Sequence, residues 1–319
     1  MSDSKKFIVS HAPFWHNGSN VSVRHYNIIG AALPALLFGM SQYGGPALAV
    51  AAFSVGSAML WEMLLNVAMK RTQTVGDGHA AIIGLVFAMM LPATAPWWLV
   101  LTGTFVSVVI GKMIYGGIGG NPFHPALIGM GILLVSWGDF LDFNEALRNY
   151  DLGFPMTYPL WSAKFFGPGT VDHFSILKLL AGQQIGGIGA TFGLGLIAGG
   201  IYLIARGYIR WEIPVSFLAG VFLTAFIFHA ADPERFAGPL FHLVTGYTLL
   251  GAFFLAPEDA SSPVNFVPML LYGAGAGVIT ILIRNIGIYV DGVVYAILLM
   301  NIANPLLDKI RPKAIGKVA

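Results

Sequence analysis

The sequence predicts an all-α polytopic membrane protein, with about ten transmembrane helices in two inverted five-helix repeats. Three observations carry that expectation. Hydrophobic residues make up 56% of the 319 residues and charged ones 10%, too few to cover a soluble fold of this size. Ten apolar runs approach the length a helix needs to cross a bilayer. A polar stretch, residues 138–184, divides those runs into five and five, and an odd number per half gives the halves opposite orientations. The composition excludes a disordered chain. The net charge of +2 and the scattered Lys and Arg give no nucleic-acid footprint. The absence of Cys removes disulfides, thiolate nucleophiles and Cys-ligated clusters.

Residues 1–25 are polar and contain no apolar core with a cleavage site, so no signal peptide is expected. The first membrane half, 26–137, holds runs near 26–44, 46–69, 78–94, 96–115 and 123–137. The third and fifth are short for a full crossing, and Pro92 and Pro96 punctuate the third and fourth. The extracytoplasmic loop follows, 138–184. The second half, 185–306, holds runs near 185–205, 212–230, 241–256, 265–284 and 288–306, before a tail at 307–319. Nine spans, or a re-entrant element replacing one, also fit. With ten spans, twelve basic residues fall on the side of the termini, among them Lys5, Lys6, Arg24, Arg206, Arg210, Lys313 and Lys317, and five on the other. That asymmetry places both termini in the cytoplasm.

Several residues invite a chemical reading. Glu62 lies inside an apolar run, where a carboxylate needs a partner, water or an ion path. Lys112 precedes the cluster Gly116-Gly117-Ile118-Gly119-Gly120-Asn121, and either snorkels to the interface or neutralises an anionic cofactor. Asp77 opens the third run as a helix cap or as a contact to a flavin. Gly187 and Gly189 form a second glycine cluster, ending in Thr191. Such clusters suit broken helices with free N–H groups, or simply tight packing of small residues. Asp77, Lys112, Asn121 and Glu62 are thus candidates to line one cofactor or ion site. The histidines 25, 79, 124, 173, 229 and 242 form no metal motif, although His229 and His242 fall near the ends of adjacent runs, as a paired haem site would require. No dinucleotide or phosphate-loop motif is present. The residues alone leave a transporter of an organic solute, an energy-coupling subunit and a non-redox scaffold all open.

Gly111-Lys112, Gly116 to Gly120, Asn121-Pro122-Phe123-His124-Pro125-Ala126, Asp77-Gly78-His79-Ala80, Asp232-Pro233 and Pro239-Leu240-Phe241-His242-Leu243 stand in the order and spacing of one family. On these motifs the chain resembles the RnfD/NqrB family, membrane subunits of the Rnf and sodium-pumping NADH:quinone oxidoreductase complexes. The resemblance spans nearly the whole chain. It implies a flavin-containing electron carrier coupling ferredoxin:NAD electron transfer to Na⁺ or H⁺ translocation. It also implies partnership with the A, B, C, E and G subunits of Rnf, ferredoxin and NAD being reached indirectly. FMN would be esterified to Thr170, the hydroxyl aligned with the end of the family's Ser/Thr-Gly-Ala-Thr motif, with Gly167 and Gly169 departing from that pattern. The family's later Gly-Ser-x-Gly-Glu-Thr reads Gly186-Gly187-Ile188-Gly189-Ala190-Thr191 here, with Ala190 in place of Glu. A second, non-covalent flavin such as riboflavin would sit by the glycine-rich helix ends, Gly117 and Gly119 among them.

Overall fold

The computed structural model describes residues 20–311, apart from the side chains of Asp172 and His173. Lys5, Lys6, Lys313 and Lys317, both chain ends and the side chain of His173 lie outside the described residues. The chain is all-α. Among the described residues nine apolar helices form the bundle: α1 Val21–Tyr43, α2 Gly45–Ala68, α3 His79–Met90, α4 Trp97–Met113, α5 Pro125–Ser136, α6 Gly193–Ala205, α7 Glu212–Ala231, α8 Phe266–Asn285 and α9 Val293–Leu307.

Only α1, α2, α7 and α8 are long and apolar enough to cross a membrane. This corrects the expectation of about ten spans in two inverted five-helix repeats. The physical reason is that several apolar runs are not continuous helices. The run at 78–94 yields the twelve residues of α3, because the backbone turns extended at Leu91 and Pro92 follows. The run at 185–205 spends its first eight residues in turns before α6 begins. The run at 241–256 breaks into Pro239–Val244, Thr248–Leu250 and a π-helical turn, Gly251–Leu255, around Gly246 at φ +65°.

Local chemistry sets the helix ends. The Asn20 side chain accepts from Val23 N at 2.7 Å and caps α1. Gly44 at φ +70° separates α1 from α2, whose first turn takes Pro46. The last eight residues of α4, Val106–Met113, are wound as a π-helix, an irregularity found mostly at functional sites. Small residues let the helices touch. A Cβ at Gly277 of α8 would lie 2.3 Å from Phe217 O of α7, and one at Gly199 of α6 would lie 2.2 Å from Ala31 O of α1. The outward faces remain apolar: Val67 is 64% exposed and Ile227 65%. A bundle apolar both inside and outside is surrounded by lipid, and the chain is a multi-pass inner-membrane protein.

Candidate functional site

At the end of the bundle where α2 and α4 finish, Glu62 and Lys112 form an ion pair with Nζ–Oε1 at 2.7 Å and side chains 0% and 1% exposed. The Thr74 hydroxyl donates to the same Oε1 at 2.5 Å, and Asn66 Nδ2 donates to Thr74 at 2.9 Å. Glu62 Oε2 is buried and has no hydrogen-bond partner. Lys112 comes from the π-helical part of α4. A cavity of about 370 Å³ adjoins the pair, lined also by Asn66, Arg71, Thr74 and Gly117. It offers a fixed positive and a fixed negative group, one free carboxylate oxygen, and glycines whose backbone a ligand can approach. Gly117 at φ +111° and Gly119 at φ +83° have open space where a Cβ would stand.

Asp77 lies one short turn beyond Thr74 and does not line this cavity. Its Oδ1 accepts from His79 N at 2.7 Å, which caps α3. His25 Nδ1–H donates to Asp77 O at 2.8 Å, and the His25 and His79 rings stack with centroids 5.0 Å apart. Asn121 is buried on the opposite flank of the glycine turn. Its Nδ2 donates to Phe123 O at 3.0 Å and to Glu258 Oε1 at 3.2 Å, and its Oδ1 has no partner. Asn301 completes that junction: its Oδ1 accepts from His124 N, and its Nδ2 donates to Ser261 O and Tyr272 Oη. The structure thus brings Glu62, Lys112 and Gly117 to one cavity, with Asp77 and Asn121 in flanking turns.

Thr170 lies in the 3₁₀ turn Pro168–His173, half-buried, and its hydroxyl donates to Gly167 O at 2.8 Å. The adjacent Gly169 faces open space. Gly187 and Gly189 are packed differently. A Cβ at either would fall 2.5 Å from Met89 O or 2.4 Å from Met89 Cγ, so no flavin ring has room there. Gly187 and Thr191 line a separate narrow cavity. Of the two histidines near the ends of adjacent runs, His229 donates from Nδ1 to Phe236 O at 2.8 Å, while both ring nitrogens of His242 are buried without partners.

Several groups escape a reading of the sequence alone. Arg284 is buried at the end of α8 and pairs with Asp291 at 3.0 Å. It also donates to His242 O and Thr248 Oγ1, holding the broken 239–250 segment. A cation inside an apolar run is the available signal. Lys164 donates to the carbonyls of Gly287 at 2.7 Å and Tyr289 at 2.6 Å beyond the end of α8, and burial lowers its pKa from the usual lysine value. At the opposite end Arg24 joins Asp259 to Tyr208 O.

The sequence profile of the NQR2, RnfD, RnfE family matches residues 8–316. The chain belongs to that family. It is 32% identical over 348 residues to the D subunit of the ion-translocating oxidoreductase complex of Pectobacterium carotovorum, covering 97% of this chain and 99% of the relative. It is 37% identical over 285 residues to the D subunit of the Na(+)-translocating ferredoxin:NAD(+) oxidoreductase complex of Acetobacterium woodii, covering 89% and 86%. The corresponding ion-translocating oxidoreductase protein of Pseudomonas aeruginosa PAO1 is 34% identical over 310 residues, covering 91% and 90%. The chain is therefore an RnfD-family membrane component of a larger, Rnf-type oxidoreductase complex.

Proposed function

We propose that this chain is a flavin-containing electron-transfer subunit of an Rnf complex that couples ferredoxin:NAD electron transfer to Na⁺ or H⁺ translocation. Its partners in this reading are the A, B, C, E and G subunits, through which it exchanges electrons indirectly with ferredoxin and NAD. The observation that carries the ion-coupled part is the Glu62–Lys112 pair: two full charges inside a membrane bundle, with one carboxylate oxygen unpaired beside a cavity. Desolvating such a pair is costly, so sequences retain one where it serves transport.

For the flavin, Thr170 supports covalent FMN. Its hydroxyl makes a single bond, within its own turn, and open space lies beside it. A non-covalent riboflavin would sit at the cavity walled by Lys112 and Gly117, with Gly119 and Asn121 in the adjoining turn, where the unpaired Asn121 Oδ1 is free to accept from a ring N–H, and Asp77 in the other flanking turn. A bound flavin supplies one- and two-electron chemistry that the side chains of this chain lack. The protein's part is to bind and orient it, and Lys112 holds a positive charge at the cavity wall, with Glu62 Oε2 free to accept a proton or a cation.

The test is made in membranes from cells lacking this chain. Ferredoxin-dependent NAD reduction with ion uptake should vanish and return with the wild-type chain. Glu62→Gln combined with Lys112→Met should restore assembly while lowering the ions moved per electron. Full ion-coupled activity without the chain would reject the role.

A further inference from the structure

We propose that the chain binds the phosphodiester of an anionic phospholipid, such as phosphatidylglycerol, in a cationic cavity at the end of α8. α8 starts beside the Arg24 and Arg210 cavity, which Met269 lines, and ends at this one, which Arg284 and Asn285 line, so the two open at opposite ends of the bundle. The charge count leaves five basic residues on this second face: Arg148, Lys164, Lys178, Arg235 and Arg284. Three of the five, Lys164, Arg235 and Arg284, line one cavity of about 240 Å³. On the side of the membrane where Lys and Arg are scarce, that concentration calls for a cause.

Folding accounts for only part of it. Arg284 is neutralised by Asp291 and tied to the carbonyls of the broken segment. Lys164 ties down the carbonyls of Gly287 and Tyr289. Such carbonyls carry partial charges, about half a unit in all at a helix end, so Lys164 keeps a positive excess. Arg235 is exposed, its guanidinium 5.2 Å from the centroid of the Phe236 ring. The ion pairs among the described residues are Arg24–Asp259, Lys112–Glu62, Arg210–Glu212 and Arg284–Asp291, and neither Lys164 nor Arg235 is in one. No carboxylate lines the cavity among the described residues. Two neutral groups of its wall are also uncommitted: Asn285 Nδ2 is buried without an acceptor, as are both ring nitrogens of His242, a residue 3% exposed. Buried donors left unpaired are costly. An anion is the kind of ligand that these groups favour together.

The rim says which anion. Phe165 and Ile286 line the cavity and are 59% and 69% exposed, and Phe166 beside them is 66% exposed. Trp161 packs edge-on against Phe166, with centroids 5.2 Å apart. Aromatic side chains gather at the level of lipid headgroups, and apolar surface there is covered by acyl chains. A free phosphate uses the cations and leaves this rim bare, whereas a phospholipid uses both. A zwitterionic headgroup brings an ammonium or choline that no carboxylate of the lining receives, so a lipid of net negative charge is selected. The site stands independently of the flavin and of the ion coupling proposed above.

The purified complex is reconstituted in phosphatidylcholine nanodiscs, with phosphatidylglycerol replacing a rising fraction of the lipid at constant ionic strength, and the thermal midpoint of this chain is followed. The wild-type midpoint should rise saturably with phosphatidylglycerol. Arg235 is exposed, so Arg235→Gln leaves folding intact; it should raise the half-saturating fraction about fivefold, the contribution of one cation at a membrane surface. Arg235→Lys should recover most of that loss. Arg148→Gln and Lys178→Gln remove exposed basic residues of the same face that do not line the cavity, and both should respond as the wild type does. A wild type indifferent to phosphatidylglycerol, or an equal loss in Arg148→Gln and Arg235→Gln, would overturn the site. The second arm adds inorganic phosphate to discs of phosphatidylcholine alone. Stabilisation equal to that by phosphatidylglycerol would overturn the lipid as the source of the phosphate.

Discussion

Lys112→Met tests whether Glu62 and Lys112 are held as a buried pair. Both side chains are buried, 1% and 0% exposed, and each is the other's only charged partner among their hydrogen bonds. Removing the ammonium leaves the carboxylate with only the Thr74 hydroxyl, and breaking a buried pair from one side costs about 3–5 kcal/mol. That is a large share of the roughly 5–15 kcal/mol that holds a typical domain. A cost of that size lowers a thermal midpoint by roughly 5–15 °C. The second arm is Glu62→Gln combined with Lys112→Met, which removes both charges and keeps an acceptor for Thr74. It should recover most of the lost stability, because replacing both partners is often neutral. The assay is thermal unfolding of the detergent-solubilised complex, followed by loss of this chain from the folded fraction. A Lys112→Met midpoint equal to wild type, or a double variant worse than the single one, would refute the reasoning. If stability recovers in the double variant while ion coupling stays lost, the pair is retained for transport rather than for folding.

Two further outcomes follow from single contacts. Gly39→Ala should reduce folded protein sharply, since its Cβ would lie 1.7 Å from Ile188 O; overpacking costs about 1–3 kcal/mol or more, and quantified membrane insertion with detergent extraction checks it. Intact-protein mass spectrometry after co-expression with the flavin transferase should show an FMN-sized addition that is lost in Thr170→Val, whereas an unmodified yellow protein would shift the flavin to the non-covalent site.

What is legible in the sequence follows the physics of each signal. A carboxylate in an apolar run demands a partner, so Glu62 stands out, but nothing local says that its partner lies fifty positions on in Lys112. Apolarity reports the surrounding solvent and not helical continuity. The run at 241–256 is apolar and yet broken, because Gly246 adopts a left-handed conformation beside Asp291, and Arg284 takes up carbonyls that the break leaves free. Pro92 punctuates its run, and the chain does leave the helix just before it. Tyr158 and Gln184 carry no signal at all. Neutral polar residues in a loop are ordinary, and only tertiary packing turns them into buried oxygens without donors. The family motifs are the most legible feature, since they depend on residue identity at fixed spacing rather than on conformation.

The two polar sites lie at opposite ends of α3. His79 opens it near the Glu62 end, and Met90 closes it against Tyr247 at the narrow cavity. Twelve helical residues rising 1.5 Å each separate them by roughly 16–18 Å. Phe87, Met89, Met90, Leu91 and Ile188 are each 0% exposed around the far end of that path. An ion crossing this stretch in the present conformation would shed its oxygen ligands without replacement, which the interior disfavours strongly. The structure is therefore closed between its two sites, and passage requires backbone movement. The bundle's two π-helical segments are Val106–Met113, which carries Lys112, and Gly251–Leu255, which follows the broken segment at the other end. Vesicles containing the complex without electron donor should accordingly show ²²Na⁺ flux no faster than empty vesicles, and flux should begin only on adding reduced ferredoxin and NAD. A passive leak through the resting complex would mean that the apolar stretch along α3 is not the barrier.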